Sequence, residues 1–232
     1  MNIPLILLPG TLCDASLWAH QVTHLSDIAN VQVGDITGAS TIEDLAKKVL
    51  DKAPAKFALA GLSLGGIVAM EIFRQAPERV LKLALLNTTA NPPYPAQQDG
   101  WKEIISEIEN GGFRSIVEEK FIPNLLYKDH PKKKDLLLTI GRMVENVGEK
   151  SYLNQLKAVT LKPNGFEVLP TIKCDTLLLV GKEDVLCTAE MHKEMHKKVP
   201  HATLVIIEQC GHLSTIEQPE QVTDAMRKWL LK

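Results

Sequence analysis

The sequence has no excess of charge of one sign and no apolar run of membrane-spanning length. Its 232 residues include 26 Lys and Arg against 28 Asp and Glu, a formal net charge of -2. A nucleic-acid-binding domain would show a basic excess, so this balance argues against a nucleic-acid partner. Crossing a bilayer takes about 20 consecutive apolar residues, and no run approaches that length, so we expect no membrane partner. Hydrophobic residues make up 45% and charged residues 23%, which is typical of a soluble globular protein.

Cysteines are few, and no two form a C-x-x-C pair. The sequence has four: Cys13, Cys174, Cys187 and Cys210. This scatter argues against zinc binding and thioredoxin-like chemistry, and free thiols in a cytoplasmic protein are expected. There is no glycine-rich phosphate-binding motif, and no metal, nucleotide or flavin cofactor is predicted. The apolar start lacks Lys and Arg and is ended by Pro9-Gly10 without a cleavage pattern, which favours a buried strand over a signal peptide.

Short apolar runs alternate with amphipathic stretches through most of the chain. The apolar runs have the near-continuous character of strands buried on both faces of a parallel sheet. They are Ile3–Leu8, a weaker 31–33, Phe57–Leu62, Val80–Leu86, 176–180 and 202–207. Helical patterns lie at 41–52, Leu64–Gln75, 190–198 and 218–231. This alternation predicts an α/β fold, a three-layer sandwich with a mostly parallel sheet of about six strands flanked by helices.

One segment, residues 91–170, interrupts this alternation. It opens with N-P-P-Y-P and contains no convincing strand, while 101–109, 113–119, 134–144 and 151–158 have helical patterns. Such an insertion commonly covers a site at the sheet edge, although it can also be a structural decoration. We therefore predict a core of residues 1–90 and 171–232, with 91–170 as a small helical cap inserted after the fourth strand.

The stretch Gly61-Leu62-Ser63-Leu64-Gly65 is a G-x-S-x-G motif. The motif alone is weak, but here it follows a predicted strand and opens a predicted helix, which is the context it requires. A sharp strand-to-helix turn would hold Ser63 in a strained conformation at a helix N-terminus, where N–H groups favour an oxyanion. Ser63 is the predicted nucleophile.

A serine nucleophile needs a base, and the base needs an acid to orient it. His212 follows the last predicted strand, and Asp184 follows the preceding one, with Glu183 as an alternative acid. The carboxyl ends of parallel strands are where α/β sheets form their sites. The remaining histidines lie in helical or loop patterns and are expected at the solvent: His20, His24, His130, His192, His196 and His201.

The chain resembles the α/β-hydrolase superfamily over nearly its whole length. The motifs are G-L-S-L-G-G, G-K-E-D after the penultimate strand and C-G-H after the last, in the order Ser63, Asp184, His212. The resemblance implies an oxyanion hole in the L-P-G-T-L loop, with the backbone N–H of Thr11, or alternatively Leu12, and a second N–H from Leu64. The chain begins at the family's third strand, so the antiparallel N-terminal strands are expected to be absent.

The resemblance implies a serine hydrolase, carboxylesterase-like, that cleaves a small carboxylic ester or related acyl compound through an acyl-enzyme. The small-molecule acyl substrate would be the partner, and no interface is marked. Alternatives are a carbon–carbon hydrolase, a perhydrolase, a lyase of the 2-succinyl-6-hydroxy-2,4-cyclohexadiene-carboxylate-synthase type, or a catalytically idle binding member of the fold. An anionic substrate would call for a cation on the cap, for which Arg114 and Arg142 are candidates, although a surface position on a helix is the commoner interpretation of such arginines. Cys187 and Cys210 are interpreted as small buried hydrophobes.

Overall fold

The frame of the molecule is a six-stranded parallel sheet, seen in a computed structural model that describes residues 2–232. Its strands are β1 (Ile3–Leu8), β2 (Ala29–Val33), β3 (Phe57–Leu62), β4 (Val80–Leu86), β5 (Asp175–Gly181) and β6 (Thr203–Ile207). They lie in the order β2-β1-β3-β4-β5-β6, and each neighbouring pair is parallel. The strand order reverses at β1, and the carboxyl ends of β1 and β3 beside such a point form a ligand crevice in open α/β sheets.

Helices cover both faces of the sheet. They are α1 (Ala19–Leu25), α2 (Ile42–Lys52), α3 (Leu64–Gln75), α4 (Pro95–Glu107), α5 (Phe113–Ser115), α6 (Lys133–Thr160), α7 (Ala189–Lys198), α8 (Ser214–Glu217) and α9 (Pro219–Leu231). Side chains of a strand alternate between faces, so Ala58 and Ala60 of β3 join the core that contains α1 and α9. Phe57 and Leu59 join the opposite core with α2, α3 and α7. The predicted three-layer sandwich is confirmed.

The helical insertion lies after β4, as predicted, and all its elements from α4 to α6 are helical or turn-like. Its apolar side chains, among them Ile116, Met143 and Tyr152, extend the core that contains α1 and α9 over the carboxyl edge of the sheet. The boundaries of a separate cap domain at residues 91 and 170 stay a prediction. Among the helices of residues 2–232, none combines the length and apolar character that crossing a bilayer would require.

Two helices differ from the sequence prediction. The two patterns at 134–144 and 151–158 belong to one long element, α6, which is broken only at Gly148, where φ is 73°. Glycine adopts this left-handed conformation without a Cβ clash. Helix α1 was not predicted, because its buried side carries Gln21 as well as Leu25 and so lacks an apolar stripe.

Candidate active site

Ser63 stands in a strained turn between β3 and α3. Its φ of 55° and ψ of -117° are rare for a residue with a side chain. Gly61 and Gly65 allow the turn, because a Cβ on Gly61 would overlap the backbone of Gly65 and a Cβ on Gly65 would overlap the carbonyl of Leu8. Two hydrogen bonds fix the serine backbone: its N–H donates to Leu86 O at 3.0 Å, and its carbonyl accepts from the Thr88 hydroxyl at 2.7 Å.

The three predicted side chains form one continuous hydrogen-bonded row. Ser63 Oγ lies 2.9 Å from His212 Nε2, and His212 Nδ1 lies 2.8 Å from Asp184 Oδ2. His212 and Asp184 are buried, at 4% and 3% exposure. The residues come from loops after β3, β5 and β6, so the sheet brings together groups that are up to 149 positions apart.

The Asp184 carboxylate is fully engaged. Oδ1 accepts the backbone N–H groups of Leu186 at 2.8 Å and Cys187 at 3.0 Å. Oδ2 accepts His212 Nδ1 and the Asn87 amide, the latter at 2.9 Å. Burial raises the pKa of Asp184, but the charge of His212 and these hydrogen bonds outweigh burial and hold the pKa below its usual value. Asp184 is therefore suited to stay ionised beside the imidazole.

Glu183, the alternative acid, faces elsewhere. Its carboxylate accepts the backbone N–H of Cys210 at 2.8 Å, and its own N–H donates to Cys210 O at 2.9 Å. These bonds link the β5 and β6 loops without reaching the imidazole. The geometry therefore selects Asp184 as the partner of His212.

Two residues that the sequence reasoning missed hold this arrangement. Asn87, directly after β4, donates from its amide to Asp184 and to Gly211 O, the latter at 3.0 Å. Its place after a strand was a signal that could have found it. Glu217 is buried in α8 and accepts the N–H groups of Gly211 at 3.0 Å and Leu213 at 3.1 Å, the two neighbours of His212. A lone glutamate in a short helix gave no signal of this.

Glu217 also ties the histidine loop to the cap, because its carboxylate accepts the N–H of Tyr127 at 2.7 Å. The carbonyl of Leu125 in turn accepts the N–H groups of His212 at 3.0 Å and Leu213 at 3.2 Å. Burial raises the pKa of Glu217, and its hydrogen bonds lower it by a smaller amount. The position of His212 therefore depends on contacts from both its own loop and the cap.

The loop after β1 lies beside Ser63, since a Cβ placed on Gly10 would lie 3.4 Å from the Ser63 Cβ. Leu12, with φ of 54°, donates its N–H to Gln155 Oε1 of α6 at 3.0 Å. In the part of the chain that the structure describes, the N–H groups of Thr11 and Leu64 have no hydrogen-bond partner. This arrangement favours Thr11 over Leu12 as the oxyanion donor predicted in this loop.

Two of the histidines expected at the solvent are buried instead. His192 of α7 is 0% exposed; its Nε2 accepts the N–H of Thr88 at 3.4 Å, and its Nδ1 lies 3.1 Å from Thr188 O. Burial lowers its pKa to about 4, so the ring is neutral. His130 is 8% exposed, with its Nε2 3.0 Å from Glu217 O. The prediction of solvated rings was wrong for both, because a helical or loop pattern does not reveal which side packs inward.

A cavity of about 270 Å³ opens above Ser63 and His212. Cap side chains form most of its walls, among them Trp101, Phe121, Tyr152 and Leu156. The two candidate cap cations lie on the surface instead: Arg114 is 88% exposed and pairs with Glu118, and Arg142 lies at the solvent. The cavity cations are instead Lys120 and Lys162.

The thiols near the site are buried and hold their protons. Cys187 lines the cavity at 8% exposure, and Cys210 is 0% exposed. Burial and the nearby carboxylates raise the pKa of both thiols well above the usual value. Because the thiolate is the nucleophilic form, neither residue is suited to covalent catalysis.

Comparison with known proteins places the chain in a family. A sequence model of the alpha/beta hydrolase family matches residues 5–225. The chain belongs to the alpha/beta hydrolase family. It is 26% identical to the pimeloyl-[acyl-carrier protein] methyl ester esterase of Aliivibrio salmonicida, over 97% of this chain and 91% of that protein.

Solved structures of family members superpose closely on this hydrolase. A thermophilic esterase from Thermogutta terrifontis, solved with malate bound, matches with a TM-score of 0.88 and 29% identity, over 99% of this chain and 90% of that one. An enol-lactonase from Burkholderia xenovorans matches with a TM-score of 0.86 and 22% identity, over 100% and 93%; at that identity the likeness concerns the fold. Together with the relatives named as esterases, these findings support an enzyme of the esterase type.

Proposed function

We propose that this hydrolase cleaves a small carboxylic ester through an acyl-enzyme formed on Ser63. The observation that carries the proposal is the row of hydrogen bonds from Ser63 Oγ through His212 to Asp184, at the floor of a cavity. A serine beside a histidine that is oriented by a buried carboxylate is the arrangement that activates a hydroxyl for attack on an acyl carbon.

The residues have distinct roles in the proposed reaction. His212 Nε2 takes the proton of Ser63 as Oγ bonds to the ester carbonyl carbon, and Asp184 stabilises the imidazolium that forms. The N–H groups of Thr11 and Leu64 bind the resulting oxyanion, and each such donor typically contributes about 3 kcal/mol. Collapse breaks the bond to the leaving alkoxide, which takes the proton from His212. Water then attacks the acyl carbon while His212 takes one of its protons. The bond to Ser63 Oγ breaks as His212 returns the proton to that oxygen, which releases the acid and restores the serine hydroxyl.

The substrate is proposed to be small and largely apolar around the reacting carbonyl. A volume of about 270 Å³ suits a short or medium acyl chain, and aromatic and aliphatic side chains form most of its wall. The esterase of Aliivibrio salmonicida acts, by its name, on a methyl ester. This supports an alkyl ester of a carboxylic acid as the class to test first.

Intact-protein mass spectrometry after treatment with a fluorophosphonate tests the nucleophile. Wild type should gain one adduct, and Ser63→Ala should gain none. Hydrolysis of a panel of short and medium alkyl esters and thioesters then defines the acyl group. A folded wild type that gains no adduct would contradict the proposal and favour the idle binding alternative, whereas an adduct without ester hydrolysis would favour the carbon–carbon hydrolase or lyase alternatives.

A further inference from the structure

The cavity above Ser63 is lined by a lysine whose side chain is largely buried and has no carboxylate partner in the described part of the chain. Lys162 follows the C-terminal end of α6, is 6% exposed, and lines the same cavity as Ser63 and His212. Across residues 2–232, no carboxylate lies within 4.0 Å of its ammonium group. The ammonium nitrogen itself keeps accessible surface, so the side chain is buried while its charged end is open to the cavity.

Neighbouring lysines of the cap show that this is unusual here. Lys120, in the same cavity, contacts Glu107 at 2.7 Å, and Lys157 of α6 contacts Glu109 at 3.1 Å. Both of those side chains are about half exposed, whereas Lys162 is buried. Charged side chains are rarely buried without a partner, because loss of hydration is unfavourable unless something compensates for it.

The charges around Lys162 indicate what kind of ligand could neutralise its ammonium group. The charged form is disfavoured, because burial lowers the pKa of Lys162. With Lys120 neutralised by Glu107, Lys162 leaves one uncompensated positive charge in the cavity. A singly charged anion, of which a carboxylate is the simplest, would neutralise it and supply acceptors for the ammonium protons.

We propose that Lys162 binds a carboxylate on the substrate, so that the enzyme cleaves a monoester of a dicarboxylic acid. The inference rests on the proposed function, because it places the anion and the scissile ester in one cavity. The apolar cap walls contact the chain between the two ends, Lys162 binds the free carboxylate, and Ser63 attacks the ester carbonyl. A neutral ester of the same length would leave the ammonium without a carboxylate partner and would bind less tightly.

The test compares substrates of the same length and shape that differ only in whether the end remote from the ester is charged. Monomethyl esters of dicarboxylic acids, from succinate to suberate, are paired with methyl esters in which a carboxamide replaces the free carboxylate. The ratio of kcat/KM for the acid to kcat/KM for the amide is measured for wild type, for Lys162→Met, and for Lys157→Met. The last removes an exposed, paired lysine of the same region and serves as the matched control.

Wild type should prefer the acid by about 10-fold to 100-fold at the best chain length, the range expected for a hydrogen bond to a charged group. In Lys162→Met the ratio should fall to about one through a higher KM for the acid, while Lys157→Met keeps the wild-type ratio. A wild-type ratio near one, or a preference that survives in Lys162→Met, would overturn the inference.

Failure of the inference and failure of the proposed function give different results. If both ester series are cleaved without preference, the esterase proposal stands and the anion site does not. If no ester is cleaved and no fluorophosphonate adduct forms, the anion site is tested without catalysis. Titration calorimetry then measures the affinity of adipate for Ser63→Ala and for Ser63→Ala/Lys162→Met. Binding by the first and not by the second supports the anion site, and equal affinity overturns it.

Discussion

The sheet edge and the underside of the cap face each other across one cavity, and the bonding of Asp184 and His212 on one side contrasts with that of Lys162 on the other. At the sheet edge each oxygen of Asp184 accepts two hydrogen bonds, and His212 is bonded through both ring nitrogens and its backbone. On the cap side the Lys162 side chain is buried, and in the described part of the chain no carboxylate lies within 4.0 Å of its ammonium group. Helix α4, described along its whole length, has no buried residue.

This difference separates two functions in space. Groups that act in the transition state gain from being fixed beforehand, because no reorganisation is then needed as charge develops. A group that recognises a substrate must instead keep its bonding capacity free until the substrate arrives. Substitutions at the sheet edge should therefore lower kcat, and substitutions under the cap should change KM, specificity and the stability of the unliganded protein.

The largest effect is expected from Asp184→Asn, which should lower kcat on an alkyl ester by about 10⁴-fold. An amide cannot stabilise the imidazolium and can hold the ring in the wrong tautomer. Steady-state kinetics check this, with Glu183→Gln as the matched control, because that carboxylate bonds to Cys210 N–H and not to His212. Equal losses of kcat in the two variants would contradict the assignment of Asp184, and not Glu183, as the partner of His212.

A smaller effect is expected from Glu217→Gln, which tests whether the position of His212 depends on the hydrogen bonds that Glu217 accepts. In glutamine an NH₂ group replaces one of the two accepting oxygens and faces backbone N–H groups, so that donor meets donor. We therefore expect a loss of about 2 to 3 kcal/mol in the free energy of unfolding. Because Gly211 and Leu213 flank His212, kcat should also fall by roughly 10-fold or more, since small misplacement of a reacting group is costly. Urea unfolding measures the change in the free energy of unfolding, and ester hydrolysis kinetics measure the change in kcat.

The control for Glu217→Gln is Glu208→Gln, which removes an exposed pair with Lys182 and should change stability by less than about 0.5 kcal/mol. The fluorophosphonate reaction rate, measured where the variant is fully folded, separates positioning from stability. A Glu217→Gln protein that is less stable but reacts at the wild-type rate would show that Glu217 supports the fold and not the placement of His212.

The difference between the two regions also explains what the sequence could predict. Ser63, Asp184 and His212 follow strands whose apolar runs are long and regular, so their meeting at one edge follows from parallel topology. Asn87 obeys the same rule after β4 and could have been found. Lys162 could not, because its burial depends on how α6 and the cap fold back over the sheet, and local pattern carries no record of that packing.

The same reason explains why the sequence could not decide between the two interpretations of Arg114 and Arg142. Arg114 and Arg142 lie in helical patterns of the cap, but which side of a cap helix faces the cavity is decided by tertiary contacts. Arg114 pairs with Glu118 one turn away on the surface. The framework of the sheet was thus predictable from periodicity, whereas the substrate-facing side of the cap required the structure.

The smallest effect is a gain of stability in Lys162→Met, which sharpens the comparison without any substrate. Replacing a largely buried lysine by an apolar side chain of similar length should stabilise the free protein by roughly 1 kcal/mol, seen as a higher Tm at neutral pH. The folded-state pKa of Lys162 lies below 10.5, so the unfolded chain binds this proton more tightly than the folded one. The loss of stability that the charged Lys162 causes in wild type is therefore complete below the folded pKa and disappears as pH rises toward 10.5. The Tm difference between Lys162→Met and wild type should narrow over that range.

Lys157→Met, at an exposed and paired position, should show no such gain. A Lys162→Met protein less stable than wild type at neutral pH would mean that the ammonium group is already stabilised in the unliganded protein. Lys162 would then be engaged before substrate binds, as Asp184 and His212 are at the sheet edge.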